Sequence, residues 1–270
     1  MCPLKISGIY RTTLLLILHL VGIFVHSVLL ASGEAREACR SGSPLYDVIH
    51  DYSSQGIWPF SQFQNINHGT IITVLTVLLI FVFIRHSQRQ LLFRRFLLFH
   101  SVMSILRGVF IWVTTIPSPT SLCFDRLIES NEVLSRSLTL TLGAVSVPYE
   151  WYGIGTPGIT CCDSIISGHT SMLLVLTILL VSVIKNRMFR ISIITISTFA
   201  MLGLITTEWH YTIDILVPLV IGIALYNWYI LKVKHSPNVF TTFIEEPNMY
   251  PAQNGLMKIS LKELFWLGNK

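Results

Sequence analysis

Two short stretches of this 270-residue chain gather the residue types that acid–base and nucleophilic chemistry requires. One is Cys161-Cys162-Asp163-Ser164-Ile165-Ile166-Ser167-Gly168-His169-Thr170, and the other is Glu208-Trp209-His210-Tyr211-Thr212-Ile213-Asp214. His210 and Asp214 stand four positions apart, so a helix would hold them in contact on one face. A carboxylate beside an imidazole fixes its tautomer and stabilises its positive charge. The other ring nitrogen is then a good nucleophile toward phosphorus. His169 could protonate a leaving alkoxide and later deprotonate an incoming hydroxyl. Gly168 lets the backbone come close to a phosphate, and amides at a helix N-terminus favour an anion. Asp163 reads as a cap for the helix that follows, with a donor-orienting carboxylate as the alternative.

The elements that must position these residues are apolar helices. The chain is 52% hydrophobic and 12% charged, against about 25% charged for an ordinary soluble domain. Its apolar residues come in long runs, and a helix needs roughly 20 of them to cross a bilayer. Six candidates emerge: 12–32, 69–84, 96–116, 164–184, 191–207 and 213–231. The expectation is an all-α, six-transmembrane-helix integral membrane protein, with residues 1–11 as N-terminus, 12–234 as membrane domain and 235–270 as tail. A signal peptide is the rival reading of the first run.

The net charge of +5 is explained by topology rather than nucleic-acid binding, because no basic stripe is interleaved with aromatic residues. Lys5 and Arg11 precede the first run. Arg85, Arg89, Arg94 and Arg95 follow the second, Lys185, Arg187 and Arg190 the fourth, and Lys232 and Lys234 the sixth. In a six-helix serpentine all four sites share one face, which the positive-inside rule makes cytosolic. The tail is then cytosolic, and its stretch 259–267 could lie on the membrane surface. Both chemical stretches fall on the opposite face, beside the loops 33–68 and 117–163. Within the second loop, 138–147 is apolar enough to dip into the interface or the protein, and 153–158 is a turn-rich approach to the fourth run. Cys39, Cys123, Cys161 and Cys162 lie on the same side, where disulfides persist, and a Cys39–Cys123 bridge is one option. No Cys/His spacing suggests zinc.

A lone histidine near a helix end is usually structural, and His68, His86 and His100 are assigned to that class. Ionisable groups within a bilayer are expensive and point to function. Arg107, in the middle of the third run, either approaches a phosphate from inside the bundle or pairs with Asp47 or Asp214. Arg94 and Arg95 read as topology and headgroup anchors.

In order and spacing these motifs resemble those of the sphingomyelin synthase family, membrane enzymes related to the lipid phosphate phosphatases. Ser167-Gly168-His169-Thr170 and His210-Tyr211-Thr212-Ile213-Asp214 look like its third and fourth motifs. Arg94-Arg95, Arg107 and Val113-Thr114-Thr115-Ile116-Pro117 are similar to the second, and Ser43-Pro44-Leu45-Tyr46-Asp47 is a looser match to the first. The resemblance covers roughly residues 12–235.

It implies a lipid phosphate phosphatase-like helical bundle with its site facing the Golgi lumen or cell exterior. The implied reaction transfers phosphocholine from phosphatidylcholine to ceramide, with phosphoethanolamine or phosphoinositol in some relatives. His210 would be nucleophile, Asp214 its partner and His169 acid/base. Ser167, Gly168, Thr170, Arg107, Tyr211 and Trp209 would line the substrate, with no metal or organic cofactor. Ceramide and a glycerophospholipid are the expected partners, and a homo-oligomer is compatible with these features.

The chain departs from the family pattern at Cys162, where a glycine is usual, and at Trp209, where an acidic residue is usual. An aromatic face can hold a quaternary ammonium by cation–π attraction. A lipid phosphate phosphatase is the nearest alternative, although the K-x6-R-P pattern of those enzymes is missing. A non-catalytic lipid-binding protein that keeps the fold is another.

Overall fold

The computed structural model describes residues 8–36, 44–59, 61–62, 68–85, 89–117, 119, 130–145, 165–235 and 244. Cys39, Ser43, His86, Cys123, Gly153, Gly158, Cys161, Cys162, Asp163 and the stretch 259–267 lie outside them. The described residues are helical, with no strand among them. The helices are α1 (Gly8–Glu34), α2 (Val48–Ser54), α3 (His68–Arg85), α4 (Arg89–Val113), α5 (Val133–Val145), α6 (Gly168–Val183), α7 (Arg187–Thr206) and α8 (Thr212–His235).

The six apolar runs each correspond to one of the longer helices. Among the described residues α1, α4, α7 and α8 are long and apolar enough to cross a membrane, while the apolar parts of α3 and α6 are shorter. The 16 residues of α6 reach ~24 Å at about 1.5 Å per residue, less than the ~30 Å of a hydrocarbon core. The bundle is apolar on its outside too: Val74, Val77, Ile80 and Phe81 of α3 and Leu216, Val220 and Trp228 of α8 are exposed. Contiguous apolar surface of this kind suits lipid rather than water.

The α6 helix is central, packing against α3, α4, α7 and α8. Leu173, Leu176, Leu179 and Leu180 are fully buried there. Beside it, α1 and α4 run parallel in one constant register. Arg94 bonds Thr12 and His19 bonds Ser101, both across 82 positions. Gly108 faces His26 at the same offset. Partners recurring every seven residues mark a coiled-coil-like seam, and this one is polar along much of its length.

One reading is corrected here. Arg94 and Arg95 are 0% and 2% exposed, so they are not headgroup anchors. Arg94 donates to Thr12 Oγ1 at 3.1 Å, to the Gly8 carbonyl at 3.1 Å and to the Ile244 carbonyl at 3.3 Å. It therefore ties α1, α4 and the chain after α8 together. The α4 helix starts at Arg89, seven residues before the purely apolar run, and so takes in both buried arginines. Residues 138–145 of the apolar stretch expected to enter the interface or the protein lie in α5, which packs against α1 and is held by an Arg136–Glu34 ion pair at 3.1 Å.

Candidate active site

The N-termini of α6 and α8 meet at one end of the bundle, and local sequence explains how. Pro218 lies nearly two turns into α8 and has no N–H to offer the carbonyl four residues back. That carbonyl, of Asp214, instead accepts the Ser167 N–H at 3.1 Å. Ser167 caps α6, its hydroxyl accepting the Thr170 N–H at 3.2 Å. Proline in one helix thus frees the acceptor that docks the start of the other.

Asp214 occupies the third position of α8, where a carboxylate can reach back to the capping residue. Its Oδ2 accepts the Tyr211 N–H at 2.9 Å, and Oδ1 accepts the N–H of Ile165. The residue is 0% exposed. His210 Nδ1 lies 3.6 Å from Oδ2, an ion-pair separation rather than a formed hydrogen bond. His210 precedes α8 instead of lying on it, so the loop, not the helix, brings it to the carboxylate.

That loop is tightly turned. Glu208 has φ of 58° and Ile165 has φ of 82°, left-handed conformations that cost a residue with a Cβ about 1–2 kcal/mol. One leads into His210 and the other precedes His169. Strain of this kind persists only where surrounding contacts over-determine it. Here the Glu208 N–H bonds Ile205 and the Ile165 N–H bonds Asp214.

Asp47 closes the scaffold from outside. Its carboxylate caps α2 through the Ile49 N–H at 2.9 Å. It also caps α8, accepting the Thr212 N–H at 2.7 Å and the Thr212 hydroxyl at 2.9 Å. Burial pushes this carboxyl up, but the Thr212 and Ile49 donors outweigh it and hold the group below the ordinary 3.8. Nearby, the Tyr211 hydroxyl accepts the Leu45 N–H at 3.0 Å and donates to the Pro117 carbonyl at 3.1 Å. Burial raises this phenol above its usual value, which keeps it a donor. His50 stacks on Tyr211 and donates from Nε2 to the His210 carbonyl at 3.0 Å.

The reactive side chains converge within this frame. The His169 and His210 rings are 6.0 Å apart, and Trp209 stands edge-on to His169 at 6.4 Å. Trp209 is 45% exposed, so much of its ring is open. Arg107 reaches in from α4. A Cβ placed on Gly168 would fall 2.1 Å from Arg107 Nη1 and 2.7 Å from Cζ. Glycine is therefore required here for the guanidinium to lie against the start of α6. Two positive ends, guanidinium and helix N-terminus, face one spot, which favours an anion. A cavity of about 330 Å³ opens beside them, lined by Gly168, His169, Arg107, Met103, His26 and His100 among others.

Of the sequence-selected residues, the structure brings His169, His210, Asp214, Gly168, Arg107 and Trp209 together. Ser167, Thr170 and Tyr211 are buried in the scaffold, where Ser167 caps α6 through the Thr170 N–H and Tyr211 ties Leu45 to Pro117. Sequence reading passed over His50 and His26, and it classed His100 as structural although His100 lines the cavity. The available signal was two histidines seven positions apart, His19 and His26, inside an apolar run.

A family model described as PAP2 superfamily C-terminal matches residues 160–231, the stretch that builds this junction. Among curated proteins, a phosphatidylcholine:ceramide cholinephosphotransferase of Caenorhabditis elegans is 22% identical over 181 residues, covering 64% of this chain and 36% of that protein. A phosphatidylethanolamine:ceramide ethanolaminephosphotransferase of Trypanosoma brucei brucei is 29% identical over 138 residues, covering 49% of this chain and 38% of that protein. The matched region spans little more than a third of each relative's length.

Proposed function

From the premise that the chain resembles the sphingomyelin synthase family, we propose that it transfers a phospho-headgroup from a glycerophospholipid to ceramide. The observation that carries this is the convergence of His169, His210 and Arg107 on the α6 N-terminus, beside a cavity inside a lipid-facing bundle.

In the proposed reaction the phosphodiester lies beside Arg107 and the amides of α6, against which the guanidinium already rests. His210, with Nδ1 turned to Asp214, attacks phosphorus through Nε2. The bond from phosphorus to the diacylglycerol oxygen breaks, and His169 gives that oxygen a proton. Ceramide then enters. Its primary hydroxyl loses a proton to His169 and attacks the phosphohistidine, releasing His210 and forming the phosphosphingolipid. Protons taken up and given back balance over the cycle.

The headgroup proposed first is phosphocholine, since the open ring of Trp209 suits an alkylated ammonium; the trypanosomal relative gives phosphoethanolamine its standing as the second. The proposal includes six spans, a site on the lumenal or exterior side and a cytosolic C-terminus, supported by the charge pattern of the loops, and a Golgi or plasma-membrane location, which rests on the family resemblance alone.

The test supplies fluorescent ceramide to purified protein in liposomes of phosphatidylcholine or of phosphatidylethanolamine and separates the products. A phosphoceramide formed from one donor only would name the headgroup. Diacylglycerol with free headgroup phosphate and no ceramide product would make the protein a hydrolase.

A further inference from the structure

The cavity beside the candidate site continues away from it, along the seam between α1 and α4, to a group of histidines the proposed chemistry does not use. His26 on α1 and His100 on α4 both line it with Arg107. His100 lies two turns from Arg107 on one face of α4, about 10 Å along the helix. His26 is 9% exposed. Its Nδ1 and that of His100 are buried with no hydrogen-bond partner among the described residues.

Their positions are held closely. A Cβ on Gly108 would come 3.1 Å from His26 Cα and 3.3 Å from its Nδ1, so glycine at that position gives the imidazole its place. With Nδ1 against Gly108, the ring's other edge, bearing Nε2, is left for the cavity. His100 is stacked on Phe96 at 5.6 Å and stands edge-on to His19 at 5.1 Å. His19 is engaged elsewhere: Ser101 donates its proton to the Leu97 carbonyl, so His19 Nδ1 must donate to Ser101 at 2.9 Å.

A proton relay does not account for these groups, because the proposed transfer consumes and returns protons at His169 with no net release. Packing does not account for them either. An apolar side chain of similar volume would fill the seam without desolvating an imidazole, which is costly when it goes unpaired. A ligand in the cavity they line would meet these imidazoles from that side, reaching the Nε2 edge of His26 rather than the Nδ1 held against Gly108.

Building on the transferase reading, we propose that His26 and His100 form the subsite for the acceptor lipid's neutral amide-and-hydroxyl head, presenting its primary hydroxyl to His169. A neutral imidazole carries one donor and one acceptor. The amide and hydroxyls of a ceramide offer both, whereas the ester carbonyls of a glycerophospholipid only accept. The anionic part of the donor lipid belongs with Arg107. The cavity, at about 330 Å³, falls at the small end of ligand pockets, which run from about 300 to 1,000 Å³. Ile23, Leu30 and Met172 supply apolar walls for the start of the chains.

The experiment measures transfer kinetics in phosphatidylcholine liposomes with ceramide varied by mole fraction, for wild type, His26→Leu, His26→Gln and His100→Leu. In parallel, photoreactive ceramide and photoreactive phosphatidylcholine are crosslinked to the same four proteins, after gel filtration shows each to be monodisperse. The expected result is a rise of about tenfold in the ceramide KM for each leucine variant. His26→Gln, which restores a polar group near the Nε2 position, should recover most of it. The donor KM and phosphatidylcholine crosslinking should stay unchanged. If no protein shows transfer but ceramide crosslinking still falls in the leucine variants alone, the subsite stands and the transferase reading fails. Unchanged ceramide KM and crosslinking in both leucine variants would overturn the subsite. So would equal losses for both lipids without rescue by glutamine, which is the mark of a structural role.

Discussion

At the end of the bundle that carries His169 and His210, backbone donors saturate the carboxylates: Asp214 takes N–H groups from Ile165 and Tyr211, and Asp47 takes them from Ile49 and Thr212. Along the α1–α4 seam the polar groups are as deeply placed, yet Nδ1 of His26 and of His100 has no partner among the described residues and a cavity runs beside them. The first arrangement is a rigid frame whose anions serve the backbone. The second has room and unmet hydrogen-bonding capacity. A frame of satisfied groups fixes where chemistry occurs, and imidazoles lining a void suit a molecule that comes and goes.

Removing the frame should do the most damage. Asp214→Ala leaves two buried N–H groups without acceptors and His210 without its partner. Transfer is expected to fall about a thousandfold or more, with a loss of ~2–4 kcal/mol in stability, read by product chromatography and thermal unfolding in detergent. A merely local loss of rate with unchanged melting would break the claim that Asp214 is structural as well as chemical.

Next comes the Arg107–Gly168 contact. Gly168→Ala should push the guanidinium off the helix start and slow transfer by roughly tenfold to a hundredfold. Arg107→Ala should cost at least as much. The double variant should be no worse than Arg107→Ala alone, because both changes remove one arrangement. Additive losses would mean the two residues act separately.

A smaller effect is expected at Asp47, which holds the frame from outside. Its carboxyl titrates below the ordinary 3.8, so the stability it adds is fully present above about pH 4 and lost as pH falls through the folded-state value. Asp47→Asn should lower stability by ~1 kcal/mol near neutrality, and the gap to wild type should close as the pH is lowered toward 3. A gap that widened with acid would reverse the sign. Smallest of all is Glu208→Gly. Glycine adopts φ of 58° without penalty, so activity should stay within about twofold of wild type and the melting temperature should not fall.

The helical class was legible in the sequence because apolar runs in a lipid-facing bundle are nearly unbroken, and each of the six runs contains or overlaps a helix. The start of α4 was not, since Arg94 looks like surface charge until the neighbouring Thr12 hydroxyl and Gly8 carbonyl are seen to receive it. His169, His210 and Asp214 stood out through type and spacing. The role of Tyr211 did not, because its ties to Leu45 and Pro117 depend on segments far away in the chain. The seam histidines were hidden for a similar reason: His26 matters through its register with Gly108, and one helix read alone carries no register.

The central claim is most directly tested by supplying fluorescent ceramide and phosphatidylcholine or phosphatidylethanolamine to the purified wild-type protein and His210→Ala side by side. The account predicts a phosphoceramide with wild type, lower by at least about a thousandfold with the variant. Equal product from both proteins, or none from wild type with either donor, would contradict it.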